Sequence, residues 1–147
     1  MKLEGTKEFE APREVVWSVI NDPSKMAKTM PGVESFEIKD DRHWSAKVKV
    51  PLGLGGLKMS IGFTKLEERP PEFASLNAKG QGVGALMNMT TSFTLSGEGD
   101  RTHMFWEADV TLAGVLGSMG QRVLQPIINQ QVEGIMTALE KQLAEAA

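Results

Sequence analysis

Acid–base and nucleophilic chemistry in proteins is carried mostly by histidine, cysteine, tyrosine and the carboxylates. This chain of 147 residues has two histidines, no cysteine and no tyrosine. Without cysteine there is no thiolate nucleophile, no Cys-ligated zinc and no disulfide. His43 opens a strand-like stretch and His103 lies on the polar side of another. Neither has a carboxylate at metal-ligand spacing in the sequence, so no zinc site is expected. Glu107 and Asp109 alternate with apolar residues and read as a solvated face that can pair with lysines across a sheet. Lys7 falls on the Phe9 side of the first strand, which makes its surroundings worth inspecting. Gly80, Gly82 and Gly84 space out like a phosphate-cradling loop, but such a loop needs a helix directly after it. "ALMNMTTSF" reads as a strand instead, so the glycines are expected to form a bend or bulge. No catalytic constellation emerges, and the chain is not expected to be an enzyme.

The chemistry left is that of apolar surfaces. Hydrophobic residues make up 41% of the chain, nine of its residues are methionine, and the formal charge is −3 with both signs mixed. No basic run stands out, so nucleic acid is not an expected partner. No apolar run approaches the roughly 20 residues of a membrane-spanning helix. The first ten residues, "MKLEGTKEFE", lack the apolar region of a secretory signal.

The elements that position this apolar surface follow from periodicity. "KLEGTKEFEA" alternates as a strand. "APREVVWSVINDP" reads as a short helix with Pro12 in its first turn, stopped by Asn21-Asp22-Pro23. "SKMAKTM" makes a second before Pro31-Gly32. About six strands follow by pattern, joined by short turns, which implies an antiparallel meander. Phe63, Met87, Met89, Phe93, Met104 and Trp106 fall on their inward side. In the final helix, begun near Gly114 to Ser118, Ile128, Val132, Ile135, Leu139 and Leu143 form an amphipathic stripe, widened by Leu116, Val123, Leu124 and Ile127. One helix must cover the concave face of the sheet. Periodicity alone favours a filled core over a cavity. The hairpin from Val50 to Met59, "VPLGLGGLKM", carries no charge before Lys58. It reads either as apolar residues tucked over the core, as a glycine-bulged strand, or as a lip at a cavity mouth.

This order resembles the helix-grip fold of the START-like, or SRPBCC, superfamily. Ala11-Pro12 with Val16-Trp17, Asp22-Pro23 and Met30-Pro31-Gly32-Val33 open the chain as in many of its members. Pro31-Gly32-Val33-Glu34, the glycine series at 80–84, and Gly114 followed by Met119-Gly120-Gln121-Arg122 look like the CoxG family, the G subunits of carbon monoxide dehydrogenase. The resemblance implies an α+β class: one domain over 1–147, with a curved antiparallel sheet wrapped around a long C-terminal helix and two short helices after the first strand. It implies a cavity, and a non-catalytic accessory protein that binds a quinone or lipid. The partner it implies is a molybdenum-containing carbon monoxide dehydrogenase or related hydroxylase. The role it implies is membrane recruitment or quinone transfer, and the expected location is cytoplasmic, peripheral at the inner face of the plasma membrane. No covalent cofactor and no metal are expected. Many members of the family carry a linker and an apolar C-terminal anchor, whereas this sequence stops at "QLAEAA", just past the helix.

The residues expected to touch ligand are Phe63, Met87, Met89, Phe93, Met104, Trp106, Leu116, Met119, Val123 and Ile127. Those expected at the mouth or against a membrane are Leu52, Leu54, Leu57 and Met30. Two other readings remain at this point: a packed-core tether or maturation module for the partner enzyme, and a small cyclase- or hydrolase-like enzyme.

Overall fold

The computed structural model describes residues 2–30, 32–52, 55–82 and 84–146, without the side chains of residues 51, 52, 55, 115, 116, 121 and 146. Strand β1 (Lys2–Phe9) leads into α1 (Arg13–Ile20) and α2 (Pro23–Thr29). Strands β2 (Val33–Asp40), β3 (His43–Leu52), β4 (Gly55–Arg69), β5 (Phe73–Gly82), β6 (Ala85–Ser96) and β7 (Thr102–Gly114) follow. Two helices end the chain, α3 (Val115–Met119) and α4 (Gln121–Ala146). The strands form one antiparallel sheet in the order β1-β7-β6-β5-β4-β3-β2. Six strands are a simple meander. The exception is β1, which adds to β7, so α1 and α2 carry the chain from one edge of the sheet to the other.

Local chemistry explains the joints. Pro12 caps α1 rather than entering its first turn. Asp22 ends one helix and starts the next: its carboxylate accepts hydrogen bonds from the Ser24 and Lys25 amides at 2.9 and 3.3 Å, satisfying two amides that α2 cannot. Gly82 pairs with Ala85, so the glycine series builds the β5–β6 hairpin. At β4–β5 the turn contains a cis bond between Pro70 and Pro71.

The helical end differs from expectation in one respect. The C-terminal helix is two helices, broken at Gly120, whose φ of +80° lies where residues with a side chain are strained. The break frees α4 to take its own rotation. Its 26 residues span about 39 Å. Within it, Pro126 has no amide hydrogen to offer the Arg122 carbonyl, which weakens the first turns.

The core divides into two apolar clusters along α4. The first joins Leu139 and Leu143 to Val16, Trp17, Val19, Ile20 and Ala27 of α1 and α2, with Trp44, Leu76, Phe93, Leu95 and Met104 beneath. Its centre is sealed: Met104 is 0% and Leu139 1% exposed. The Gln142 amide donates to the Lys25 carbonyl at 2.9 Å and fastens α4 to α2. The second cluster centres on Val48, Met59, Ile61 and Leu124, under the other half of α4. Phe63, stacked on Trp44 with centroids 5.3 Å apart, packs against both clusters.

Candidate functional site

The half of α4 that α1 and α2 do not clamp lies over the second cluster, and here burial is incomplete. Met30, Leu57, Met87, Met89, Leu112, Met119 and Ile128 all pack against this cluster, and all remain partly exposed. Val50 and Leu57 face each other across the base of the β3–β4 hairpin and continue the same apolar surface to its rim. Burial is thus most complete around Met104 and Leu139, although Val15, Met26, Ile135 and Met136, which pack on the first cluster, are also partly exposed.

Its floor is built from small side chains. Register places Ala46 beside Ile61 and then Gly80, Ala78 beside Phe63 and Met89, and Thr91 beside Ala108. These residues are buried because longer neighbours lie across them. Methionine supplies much of that cover. At Gly80 an added Cβ would lie 3.1 Å from Met59 Cε and 3.3 Å from Met87 Cε, both ends of unbranched thioethers with several rotatable bonds. Thr91 is the buried polar group of the floor, and its hydroxyl donates to the Glu107 carbonyl at 2.8 Å.

A cleft also lies at the side. Between β1 and α4 is a cleft of about 330 Å³ lined by Gly5, Lys7, Trp106, Val132, Glu133 and Met136, among others. The Trp106 indole lies against Gly5, where a Cβ would be 2.7 Å from Cζ2 of the ring. Lys7 bridges the cleft through an ion pair with Glu140 of α4. Its inward placement therefore serves to hold helix to sheet.

The expected ligand residues distribute unevenly over this geometry. Phe63, Met87, Met89 and Met119 meet at the second cluster, and Leu57 and Met30 stand at its rim. Trp106 lines the side cleft. Phe93 and Met104 belong to the first cluster, where side chains cover them completely or nearly so. Val123 departs from expectation, being 50% exposed and in neither cluster. The phase of α4 is set by Leu124, Ile128, Ile135, Leu139 and Leu143, which turns Val123 away. Ile127 likewise packs in neither cluster, and Ile128 takes its place. Leu54 and the side chains of Leu52 and Leu116 lie outside the described residues. Leu112 falls inward, as the alternation from Met104 through Val110 predicts, though it is not among the expected ligand residues; sequence reasoning misses Met136.

Polar groups gather elsewhere. His43 pairs with Asp40 at 2.9 Å, and His103 with Glu8. Sequence spacing points to neither pair, because both depend on turn and register. The Asp40 carboxyl is held below its usual range, first by the Arg42 amide hydrogen bond and then by His43. Among the described residues, no three His, Asp or Glu side chains are placed to hold a metal. A polar cleft of about 630 Å³ beside α1 and the β2–β3 turn holds Lys65, which is 9% exposed. Its ammonium donates to the Asn21 carbonyl at 2.7 Å and sits 3.1 Å from Glu68. Among the described residues, no helix is long and apolar enough to cross a membrane.

The family model for CoxG, the G subunit of carbon monoxide dehydrogenase, matches residues 5–144. The fold is similar to that of a conserved protein from Geobacillus kaustophilus, with a TM-score of 0.91 and 20% identity over 99% of this chain and 97% of that one. A START superfamily protein from Mycobacterium smegmatis gives a TM-score of 0.76 at 14% identity, covering 99% of each chain. The Zhui aromatase/cyclase from Streptomyces sp. R1128 gives 0.71 at 16%, covering 99% of this chain and 93% of that one. Comparison with curated proteins gives no match. At these identities the likeness establishes a START-like helix-grip fold and nothing finer.

Proposed function

We propose, from the premise that the chain belongs to the CoxG family of carbon monoxide dehydrogenase G subunits, that it is a non-catalytic accessory protein carrying a quinone or lipid between α4 and the sheet. The observation that carries this reading is the burial gradient along α4. Side chains are sealed around Met104 and Leu139, while Met87, Met89, Leu112, Met119 and Ile128 stay partly exposed beside small sheet residues. A packed-core tether has no need of that asymmetry.

The ring of a quinone would lie among the methionines and Phe63, and its isoprenoid tail would leave past the rim of the second cluster or through the Trp106 cleft. Apolar walls with few fixed polar groups suit a ligand that is mostly hydrocarbon. The family name supports association with carbon monoxide dehydrogenase. A role in moving quinone between the membrane and a molybdenum-containing enzyme of that kind follows from an apolar carrier beside a redox partner.

Native mass spectrometry of the purified chain, followed by solvent extraction, tests the reading. The expected result is a co-purifying quinone or lipid, or a rise in melting temperature when short-chain menaquinone is added. A ligand-free protein whose melting temperature is unmoved by menaquinone and by phospholipid would favour the tether.

A further inference from the structure

The two edges of the sheet are built differently. At one edge is β2, whose register with β3 slips twice, between Val33 and Ser35 and between Ile38 and Asp40. Irregularities of this kind blunt an edge against pairing with another strand. At the other edge is β1, whose residues Lys2–Phe9 pair with β7 without a slip. Among the described residues, no backbone hydrogen bond reaches the free side of β1 from a loop or another strand. Lys2, Glu4, Thr6 and Glu8, on the outer face, are exposed, and Leu3, Gly5 and Lys7, on the α4 face, are half-buried. An even, accessible edge of this length is a template for one more strand.

The side chains of β1 are complementary to themselves in one register. Two antiparallel copies keep their faces matched only in steps of two residues, because a one-residue slip turns every side chain over. With the pairing centred on Gly5, Lys2 of each copy faces Glu8 of the other, and Glu4 faces Thr6. A slip of two residues sets Glu4 opposite itself in one direction and opposite Glu8 in the other, and like charges directly opposed destabilise a ladder. Within the chain, Asp109 lies opposite Lys2 and His103 opposite Glu8. The centred pairing therefore lays down a row, Asp109, Lys2, Glu8, His103, that alternates acid and base across four strands. Among the described residues Lys2 is in no ion pair, so the second copy's carboxylate supplies one. On the α4 face, Gly5 meets Gly5, and each is covered by its own Trp106 ring, against which a Cβ at Gly5 would collide. Leu3 of the second copy falls opposite Lys7, at the border of the cleft that Gly5, Lys7 and Trp106 line.

We infer that two copies of the chain join through β1 in an antiparallel, two-fold pairing centred on Gly5, which continues one seven-stranded sheet into the next and sets the two Trp106 clefts side by side. Any extended peptide can meet the backbone of this edge. The match of Lys2 to Glu8, made twice by the two-fold axis, belongs to a second β1 and selects it over other strands. The contact is small beside the roughly 1,200 Å² of a standard interface, so the pair should dissociate on dilution. The inference does not depend on the carrier reading.

Sedimentation equilibrium of the whole chain from roughly 1 µM to 1 mM, the range in which a small interface dissociates, tests it. A monomer–dimer equilibrium is expected. Lys2→Glu and Glu8→Lys should each raise Kd about tenfold or more, because each turns both attractive pairs into repulsive ones. An equimolar mixture of these two variants should dimerise as the parent does, and so should the double variant, since both restore opposite charges. The chain has no cysteine, so introduced thiols report the register directly. Glu4→Cys mixed with Thr6→Cys should form a disulfide-linked pair on mild oxidation, and neither variant should do so alone. A chain that stays monomeric at the top of the concentration range overturns the inference. So does a dimer indifferent to both charge reversals, a mixture that stays dissociated, or Glu4→Cys that cross-links with itself. The menaquinone melting shift, measured on dilute protein, reports the carrier reading separately. That reading fails if the shift is absent while the dimer persists; the pairing inference fails if the dimer is absent while the shift persists.

Discussion

The burial gradient makes a paired prediction about two apolar residues on opposite sides of the interior. Leu139→Ala removes a side chain that is 1% exposed and wedged between α1, α2 and the sheet. Truncating a leucine so placed costs about 2–5 kcal/mol, the spread reflecting how far the surroundings can collapse. Helices α1 and α2 are fixed here by Asp22 and by the Gln142–Lys25 bond, so collapse is limited and about 3 kcal/mol is expected. For a chain of this size, 1 kcal/mol moves the melting temperature by about 2–4 °C, which gives a fall of about 6–12 °C. Met89→Ala removes a longer side chain, yet one already partly in contact with water and able to be replaced by Met87 or Met119. Its cost should be about 1 kcal/mol, or about 2–4 °C. The two variants should rank in the opposite order by their effect on the response to ligand. The menaquinone-induced rise in melting temperature should survive Leu139→Ala and change in Met89→Ala, because only Met89 covers the floor that a ligand would occupy. Scanning fluorimetry with and without menaquinone reads all four numbers. Equal destabilisation by the two substitutions would mean that the interior is uniformly packed, and the gradient could no longer carry a functional reading.

Three further outcomes rest on individual side chains. Gly5→Val should push the Trp106 indole out of its position over β1, and menaquinone should then quench tryptophan fluorescence less than in the parent; Trp106→Phe identifies the share of the signal that belongs to this ring, and unchanged quenching in both variants would remove Trp106 from the ligand site. Lys65→Met should cost about 3 kcal/mol in urea unfolding, at the low end for breaking a buried pair because Glu68 keeps some access to water; a loss under about 1 kcal/mol would show that the Lys65–Asn21 link does not hold α1 to β4. Lys7→Ala, which removes a half-exposed ion pair with Glu140, should cost no more than about 1 kcal/mol, so a much larger loss would indicate that the pair is the main tie between β1 and α4.

Much of this architecture is legible in short stretches. Alternation in "HWSAKVKV" and "LMNMTTSFTL" predicts both the strands and the face each residue takes, and β3 and β6 obey it. The stripe Ile128–Val132–Ile135–Leu139–Leu143 predicts the packed side of α4. Interruptions are harder to read. Gly120 sits among residues that otherwise continue a helix, and only its positive φ separates α3 from α4. That break resets the phase of α4, which is why Val123 and Ile127 lie off the packed side while Ile128 lies on it. Long-range pairs are not legible at all: Glu8 with His103 and Lys65 with Asn21 depend on register and on where α1 comes to rest. The distinction between a sealed and an accessible methionine is of the same kind. Met104 and Met89 have the same alternation in their strands, and they differ because α1 and α2 pack over one end of α4 and not the other.

The placement of β1 beside β7 has a consequence for synthesis. Lys2 pairs with Asp109 and Phe9 with Thr102, so the first strand made has no partner until roughly a hundred more residues are translated. At about 5–20 residues per second this is a wait of about 5–20 s. The meander β2–β7 needs only neighbours and can zip as it leaves the ribosome, while its methionine-lined side stays bare until α4, the last element, emerges. For that interval the nascent chain displays a curved apolar sheet with no lid. Ribosome-bound chains arrested after residue 114 should therefore be cut readily by protease and recruit a hydrophobic dye or holdase, and both signals should vanish once α4 has cleared the tunnel.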